Sequence, residues 1–239
     1  MSDHQPVTPQ SHGKLQVHAG RGAALGDAVM CCVTVAEEFR RVQNEYPILF
    51  RLNPERDSFA AMALFGFQDG ENLFLNGDRW EARYRPLAMD IQPFLIGRPS
   101  PESDERQVHI DMASPRIASG PEGIAIFDDA NQPTAYLERV IEQLGQLDTG
   151  YARMGDFIAA LRRYDLLEPL AVEIPLSDGS TNRLIGFHTI NEDRVQALDA
   201  AALGDLHGAG HLMPIFMAIA SMSNFDDLIR RKNARRGGG

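Results

Sequence analysis

Apolar residues in the first half of the chain gather in short runs, whereas in the second half they recur at three- and four-residue spacing. Short runs rich in β-branched and aromatic residues predict strands, and the longer period predicts helices. Residues 28–35 (AVMCCVTV) are the first buried-strand run. Residues 36–44 are charged, with Phe39 and Val42 three apart, which predicts a short helix. A strand follows at 46–50, entered through Pro47, where a missing N–H is tolerated, and another at 59–67. Gln68-Asp69-Gly70 turns the chain and 72–75 continue the sheet. Asn76-Gly77-Asp78 then closes a hairpin toward Trp80 and Tyr84. Pro86, Pro93, Pro99 and Pro101 break the stretch 84–101. Residues 107–112 and 123–127 are further strands, the second ending in the acidic turn Asp128-Asp129-Ala130-Asn131.

Thr134, after Pro133, caps the first long helical pattern. There Leu137, Val140, Ile141, Leu144, Leu147, Tyr151, Met154, Phe157, Ile158 and Leu161 form an amphipathic helix or helix pair, with Gly150 and Gly155 as kink positions. Residues 170–176 and 183–190 flank Ser177-Asp178-Gly179-Ser180, a hairpin signal. Asn191 caps a helix whose first turn carries Glu192 and Asp193 and which stops at Gly208-Ala209-Gly210. A last helix starts near Leu212, with Pro214 in its first turn, and runs toward Arg231. The order is that of an α+β fold: a mostly antiparallel sheet from the N-terminal half packed with long helices from the C-terminal half, with one interposed β-hairpin. No composition break divides it, so one domain is expected over 24–232, between a flexible tail at 1–23 and a basic, glycine-ended tail at 233–239.

Composition narrows the function. Of 239 residues, 44% are hydrophobic, which excludes a largely disordered chain. The longest apolar stretch, 212–222, is shorter than the ~18 residues a membrane-spanning helix needs, so no membrane span is expected. The balance of 33 acidic against 23 basic residues gives −10, which repels nucleic-acid phosphate. Against that balance stand Arg230, Arg231, Lys232, Arg235 and Arg236, read as the cationic end of a helix or as a contact for an anionic partner. Residues 1–14 lack a secretory leader, and the adjacent Cys31 and Cys32 suit two reduced thiols packed in a strand, so a cytoplasmic protein is expected.

The strongest local chemistry is His109-Ile110-Asp111. Side chains two apart in a strand share a face, so an imidazole and a carboxylate stand side by side. With a distant histidine they would complete the two-histidine, one-carboxylate triad of a non-haem iron(II) oxygenase. His188 is the first candidate for that position, ahead of His207 and His211. The plainer reading is a histidine hydrogen-bonded at a strand edge. Trp80, Tyr84 and Phe94, among prolines, suit either a ligand groove or the packed end of the sheet. Gly20, Gly22 and Gly26 miss the dinucleotide fingerprint by one residue, and Asp128-Asp129-x-Asn131 lacks the glycine and distal glutamate of a calcium loop.

Several ordered segments resemble the SapC family of bacterial proteins. They are Glu45-Tyr46-Pro47-Ile48-Leu49-Phe50, Gly70-Glu71-Asn72-Leu73-Phe74, Trp80 with Arg83-Tyr84, and Ile110-Asp111-Met112-Ala113-Ser114-Pro115. Phe127-Asp128-Asp129, Leu166-Leu167-Glu168-Pro169, Leu206-His207 with Gly210, and Ser221-Met222-Ser223-Asn224-Phe225 continue the pattern, from about residue 24 to residue 232. The family is named after a surface-layer locus, and its genes often neighbour those of TonB-dependent receptors, tryptophan-halogenase-like and cupin-like proteins. The resemblance implies an accessory or binding protein acting with partner proteins or a peptide in a surface-layer or TonB-dependent uptake system. The alternative is an iron(II) oxygenase-like enzyme modifying a peptide or amino acid. The same letters also label a peptide-transporter permease, which a chain without the expected spans does not resemble. In relatives the place of His109 is often cysteine while the Ile-Asp pair persists, which makes Asp111 the stronger functional candidate.

Overall fold

The computed structural model describes residues 2–99, 103, 105–118, 120, 122–175, 179 and 181–237. In chain order the elements begin with β1 (His4–Pro6), α1 (Pro9–His12), β2 (Gln16–Val17), β3 (Cys31–Val33), α2 (Phe39–Val42), β4 (Ile48–Leu52) and β5 (Phe59–Leu64). Next are β6 (Leu75–Asn76), β7 (Arg79–Trp80), α3 (Leu87–Asp90), β8 (Phe94–Gly97), β9 (Gln107–Asp111), β10 (Ile124–Ala125) and α4 (Ala135–Arg163). The chain ends with β11 (Leu167–Pro175), β12 (Thr181–Ile190), α5 (Glu192–Gln196), α6 (Ala200–Gly208), α7 (Leu212–Ser221) and α8 (Asn224–Gly237). The fold is α+β with antiparallel pairing throughout the described strands, as the sequence pattern predicts.

Residues 4–17 hold two strands and a helical turn. The chain has two compact units: Met1–Ala28, Leu75–Trp80 and Leu87–Thr149 form the first, and Val29–Phe74, Glu81–Pro86 and Gly150–Gly239 the second. Composition does not mark the border because the chain passes between the units repeatedly, the last time inside helix α4.

The first unit contains the three-stranded sheet β1-β9-β8, the pair β10-β2 and the hairpin β6-β7. Leu137, Val140 and Leu144 of α4 are buried in it, following the three- and four-residue spacing, together with Val17, Phe94, Ile110 and Ile126. Its loops are tied by a charge. Arg116 and Asp27 are 1% and 0% exposed. The guanidinium donates to Asp27 Oδ1 at 2.6 Å and to the carbonyls of His18 and Gly20 at 3.2 and 2.9 Å, while Asp27 Oδ2 accepts the Gly22 N–H at 2.9 Å. The glycine run 20–26 therefore wraps a buried ion pair, with Gly26 at φ +87, where other residues are strained.

The second unit is built on a five-stranded sheet in the order β11-β12-β4-β5-β3. Ile48 lies opposite Ala63 and Phe50 opposite Ala61. Phe157 of α4 packs at 6.1 Å from Phe39 and 6.4 Å from Phe50, making an aromatic core. Ser221 of α7 accepts the Ile48 N–H at 2.8 Å and donates to the Ala218 carbonyl, so a polar side chain inside the core is satisfied on both sides. A bulge between Leu170 and Val172 faces Gly186, at φ +83. The edge strand β11 carries Pro169 and Pro175, which withhold N–H groups from further pairing. The turn residues Ser177, Asp178 and Ser180 lie outside the described residues.

Helix lengths differ from expectation where a local cap intervenes. The helix predicted from Asn191 is two, because Asp199 accepts the Ala202 N–H at 2.8 Å and starts α6 afresh. The last helix is likewise α7 and α8, and α4 is one helix of 29 residues, not a pair. One stretch among the described residues, Leu212–Arg235, is long and apolar enough to cross a membrane by length and composition alone (mean hydropathy 1.2). Here it is interrupted after Ser221, and Ile215, Ala218 and Leu228 are buried in the second unit. The cationic run is largely neutralised at home: Arg230 and Arg231 pair with Asp227, and buried Lys232 pairs with Glu71.

Candidate functional site

Asp111 ends β9, where its neighbour across the sheet is His4 of β1. Its Oδ1 accepts the N–H of Asp3 at 2.9 Å and that of Ala113 at 3.0 Å. The Asp3 N–H holds the carboxyl below the ordinary aspartate range; burial opposes it, and the Ala113 N–H and nearby His4 add to the lowering. His109 lies inside β9 against β8, so close that a Cβ on Gly97 would stand 2.5 Å from its ring. Its Nε2 is buried without a hydrogen-bond partner. His188 belongs to the second unit, on β12, edge-on to Phe59 at 4.8 Å. Burial, and then Arg56, push its pKa below the ordinary histidine value. Among the described residues no group of three His, Cys, Asp or Glu side chains is gathered as a metal ion requires. Of the expected triad, His109 is thus wedged in a sheet, Asp111 holds backbone amides, and His188, in the other unit, packs on an aromatic ring.

The three aromatic candidates are divided between the two units. Phe94 is 3% exposed and packs edge-to-face on Tyr136 at 6.2 Å. Trp80 lies in the short hairpin opposite Leu75. Tyr84 belongs to the second unit, where its hydroxyl donates to buried Glu38 at 2.6 Å and Arg41 lies over its ring. Burial and the Glu38 carboxylate push the phenol far above its ordinary pKa. The cysteines fare likewise, since burial raises both thiols, with the Glu38 charge adding to the effect at Cys32.

Two concavities lie each within one unit; His109, Asp111, His188, Trp80, Tyr84 and Phe94 line neither, while His211, a later alternative for the third ligand, lines one of them. In the second unit a hollow of about 260 Å³ runs between the end of α4 and α6. Its polar groups are turned on one another: the Tyr164 hydroxyl donates to Asp205 at 2.7 Å, and Arg163 stands 3.5 Å from the same carboxylate. His211 reaches its lip because Gly210, at φ +76, reverses the chain and lets the His211 N–H close on the Leu206 carbonyl at 2.8 Å.

The first unit holds a larger cleft of about 490 Å³. One wall is Pro6, Val7 and Pro9, continued by Val108 of β9; the other is Pro133, Leu137 and Ile141 at the start of α4, with Phe127 between. Thr8, Gln107, Asn131 and Gln132 supply hydroxyl and amide groups, and among the described residues no lining side chain is charged. Local hydrogen bonding sets the shape. Asp128 accepts the N–H groups of Ala130 and Gln132 at 2.9 and 2.8 Å, making the acidic run a turn. Thr134 donates to the Ala125 carbonyl at 2.9 Å and so fixes where α4 begins. Across the cleft His12 Nδ1 accepts the Thr8 N–H at 3.3 Å. The sequence signal for this cleft was modest: Pro6-Val7-x-Pro9 in an otherwise polar stretch, and Ile141, 42% exposed, beside the buried stripe of α4.

An α+β protein with a charge-free cleft walled by its own leading segment is what the fold and site define. The sequence profile of the SapC family matches residues 7–228, and the chain belongs to that family. No curated protein and no solved structure is similar enough to match it.

Proposed function

We propose that this chain acts by binding, and that the cleft of its first unit receives an uncharged, apolar segment of a peptide or partner protein. The lining carries the proposal. In a chain of net charge −10, Pro6, Val7, Val108, Leu137 and Ile141 offer apolar walls, and four amide or hydroxyl side chains stand ready for a peptide backbone. The volume lies in the range that small ligands occupy, and no titratable group among the described residues lines the cleft, which favours recognition over catalysis. Membership of the SapC family, with the genetic setting that the resemblance implies, supports a wider role as an accessory protein in a bacterial surface-layer or TonB-dependent uptake system. Cys31 and Cys32 are free thiols, which suits work in the cytoplasm.

The test uses Nile red, an uncharged dye that brightens on leaving water, with acetyl-Val-Pro-Val-amide as competitor. The protein should bind the dye and release it to the peptide. Ile141→Asp should weaken both by about tenfold or more, because a carboxylate in an apolar wall must be desolvated whenever the cleft fills. Equal binding by the protein and by Ile141→Asp would overturn the reading.

A further inference from the structure

The wall formed by Pro6, Val7 and Pro9 depends on how residues 3–9 are fastened. β1 is an edge strand of three residues, paired only with β9: His4 faces Asp111, Gln5 faces Ile110 and Pro6 faces His109. Pro6 has no N–H to add to that ladder. The backbone bonds flanking it are Met112 N–H to the Asp3 carbonyl at 2.7 Å and Val7 N–H to the Val108 carbonyl at 2.8 Å. Beyond these, one side chain grips the start of the segment. Asp111 Oδ1 takes the Asp3 N–H, and the same oxygen takes the Ala113 N–H and so stiffens the turn that follows β9. A carboxylate accepting backbone N–H groups makes a charge-assisted bond, stronger than a neutral one.

We infer that Asp111 is the clasp that holds segment 3–9 as a wall of the cleft, and so is a positioning residue for the binding proposed above. The inference rests on that binding reading for its consequence, but the fastening itself is measured separately. Without the clasp the segment keeps a three-residue ladder at a sheet edge and the two backbone bonds beside it, the kind of element that opens locally at little cost. The cleft then loses one of its two apolar walls while β8 and β9 stay paired.

Hydrogen-exchange mass spectrometry on the full chain reads the fastening. Asp111→Ala should raise exchange in peptides covering residues 3–8 by about tenfold, with peptides of β11 and β12 unchanged, and should weaken Nile red several-fold at unaltered melting temperature. Asp111→Asn keeps an acceptor oxygen in place and should recover most of the protection. Unchanged exchange in Asp111→Ala would refute the clasp. Faster exchange with full dye affinity would refute its positioning role. If the native protein binds no dye at all, the binding reading falls, and the exchange result still decides whether Asp111 fastens the segment.

Discussion

The two units solve the placement of charged and apolar groups in opposite ways. The first buries an ion pair, Arg116 with Asp27, and leaves an apolar cleft open to solvent. The second buries an aromatic cluster around Phe157 and sets charged side chains around its hollow, with Tyr164, Arg163 and Asp205 satisfying one another. Strands of two to five residues supply little continuous core in the first unit, so its loops are held from within by a guanidinium and backbone carbonyls. The second has a five-stranded sheet, and its own buried charge, Lys232 against Glu71, adds to a core that the sheet already supplies. A unit held by specific polar ties can afford an open apolar surface, and that is where the binding cleft lies.

The largest effect should come from cutting the tie. Arg116→Met leaves the Asp27 carboxylate, 0% exposed, without its guanidinium, and should cost about 3–5 kcal/mol. Urea unfolding, followed by hydrogen exchange on peptides from each unit, should show the loss in residues 16–28 and 114–118. The double change Arg116→Met with Asp27→Leu should recover part of it, since an absent ion pair is less costly than half of one. A single variant within about 1 kcal/mol of the native protein, against the few kcal/mol expected for an uncompensated buried charge, would mean the pair is not what holds these loops.

Helix α4, shared by both units, sharpens the contrast at a smaller scale. At Gly150 a Cβ would stand 2.5 Å from Val35 Cγ2, whereas at Gly145 and Gly155 it would meet nothing within 4 Å. Gly150→Ala should therefore destabilise by about 1–3 kcal/mol through overpacking. Gly145→Ala and Gly155→Ala should each stabilise by about 0.5–1 kcal/mol, the ordinary gain of alanine over glycine in a helix. Calorimetric melting temperatures that move the same way for all three would show that the close approach to Val35 is not limiting.

Much of the second unit was legible in the sequence. The runs at 46–50 and 59–67, the hairpin at 170–190 and the helical spacing from Leu137 to Leu161 became β4, β5, β11 with β12, and α4, because each carries its own period and its own turn residues. The first unit was less legible. Its strands are too short to establish a period, and its strongest tie joins residues 89 apart in the chain, a pairing no local pattern announces. The surroundings of the site residues were hard to read for a related reason. His109 and Asp111 do neighbour each other on one strand, but spacing says nothing about what each meets across the sheet, and Asp111 meets a backbone amide from a segment read as tail.

The gentlest perturbation is protonation of that same carboxylate. The Asp3 N–H lowers the Asp111 pKa in the folded chain below the ~3.9 of a free aspartate. A lowered folded value means that the ionised form favours the fastened segment. That contribution is complete above the unfolded value and is lost as pH falls through the folded one. Because the carboxylate is largely exposed, the effect on global stability should be small, while the local one is read directly in the Asp3 amide, whose NMR shift should titrate with a midpoint below ~3.9. In Asp111→Asn the same amide should stay flat through that window, since an acceptor remains and no proton is taken up. A native Asp3 amide that is equally flat would show that the clasp is a neutral contact. The first unit would then be held by its buried pair alone, and the contrast between an internally tied unit and a packed one would rest on Arg116 without help from Asp111.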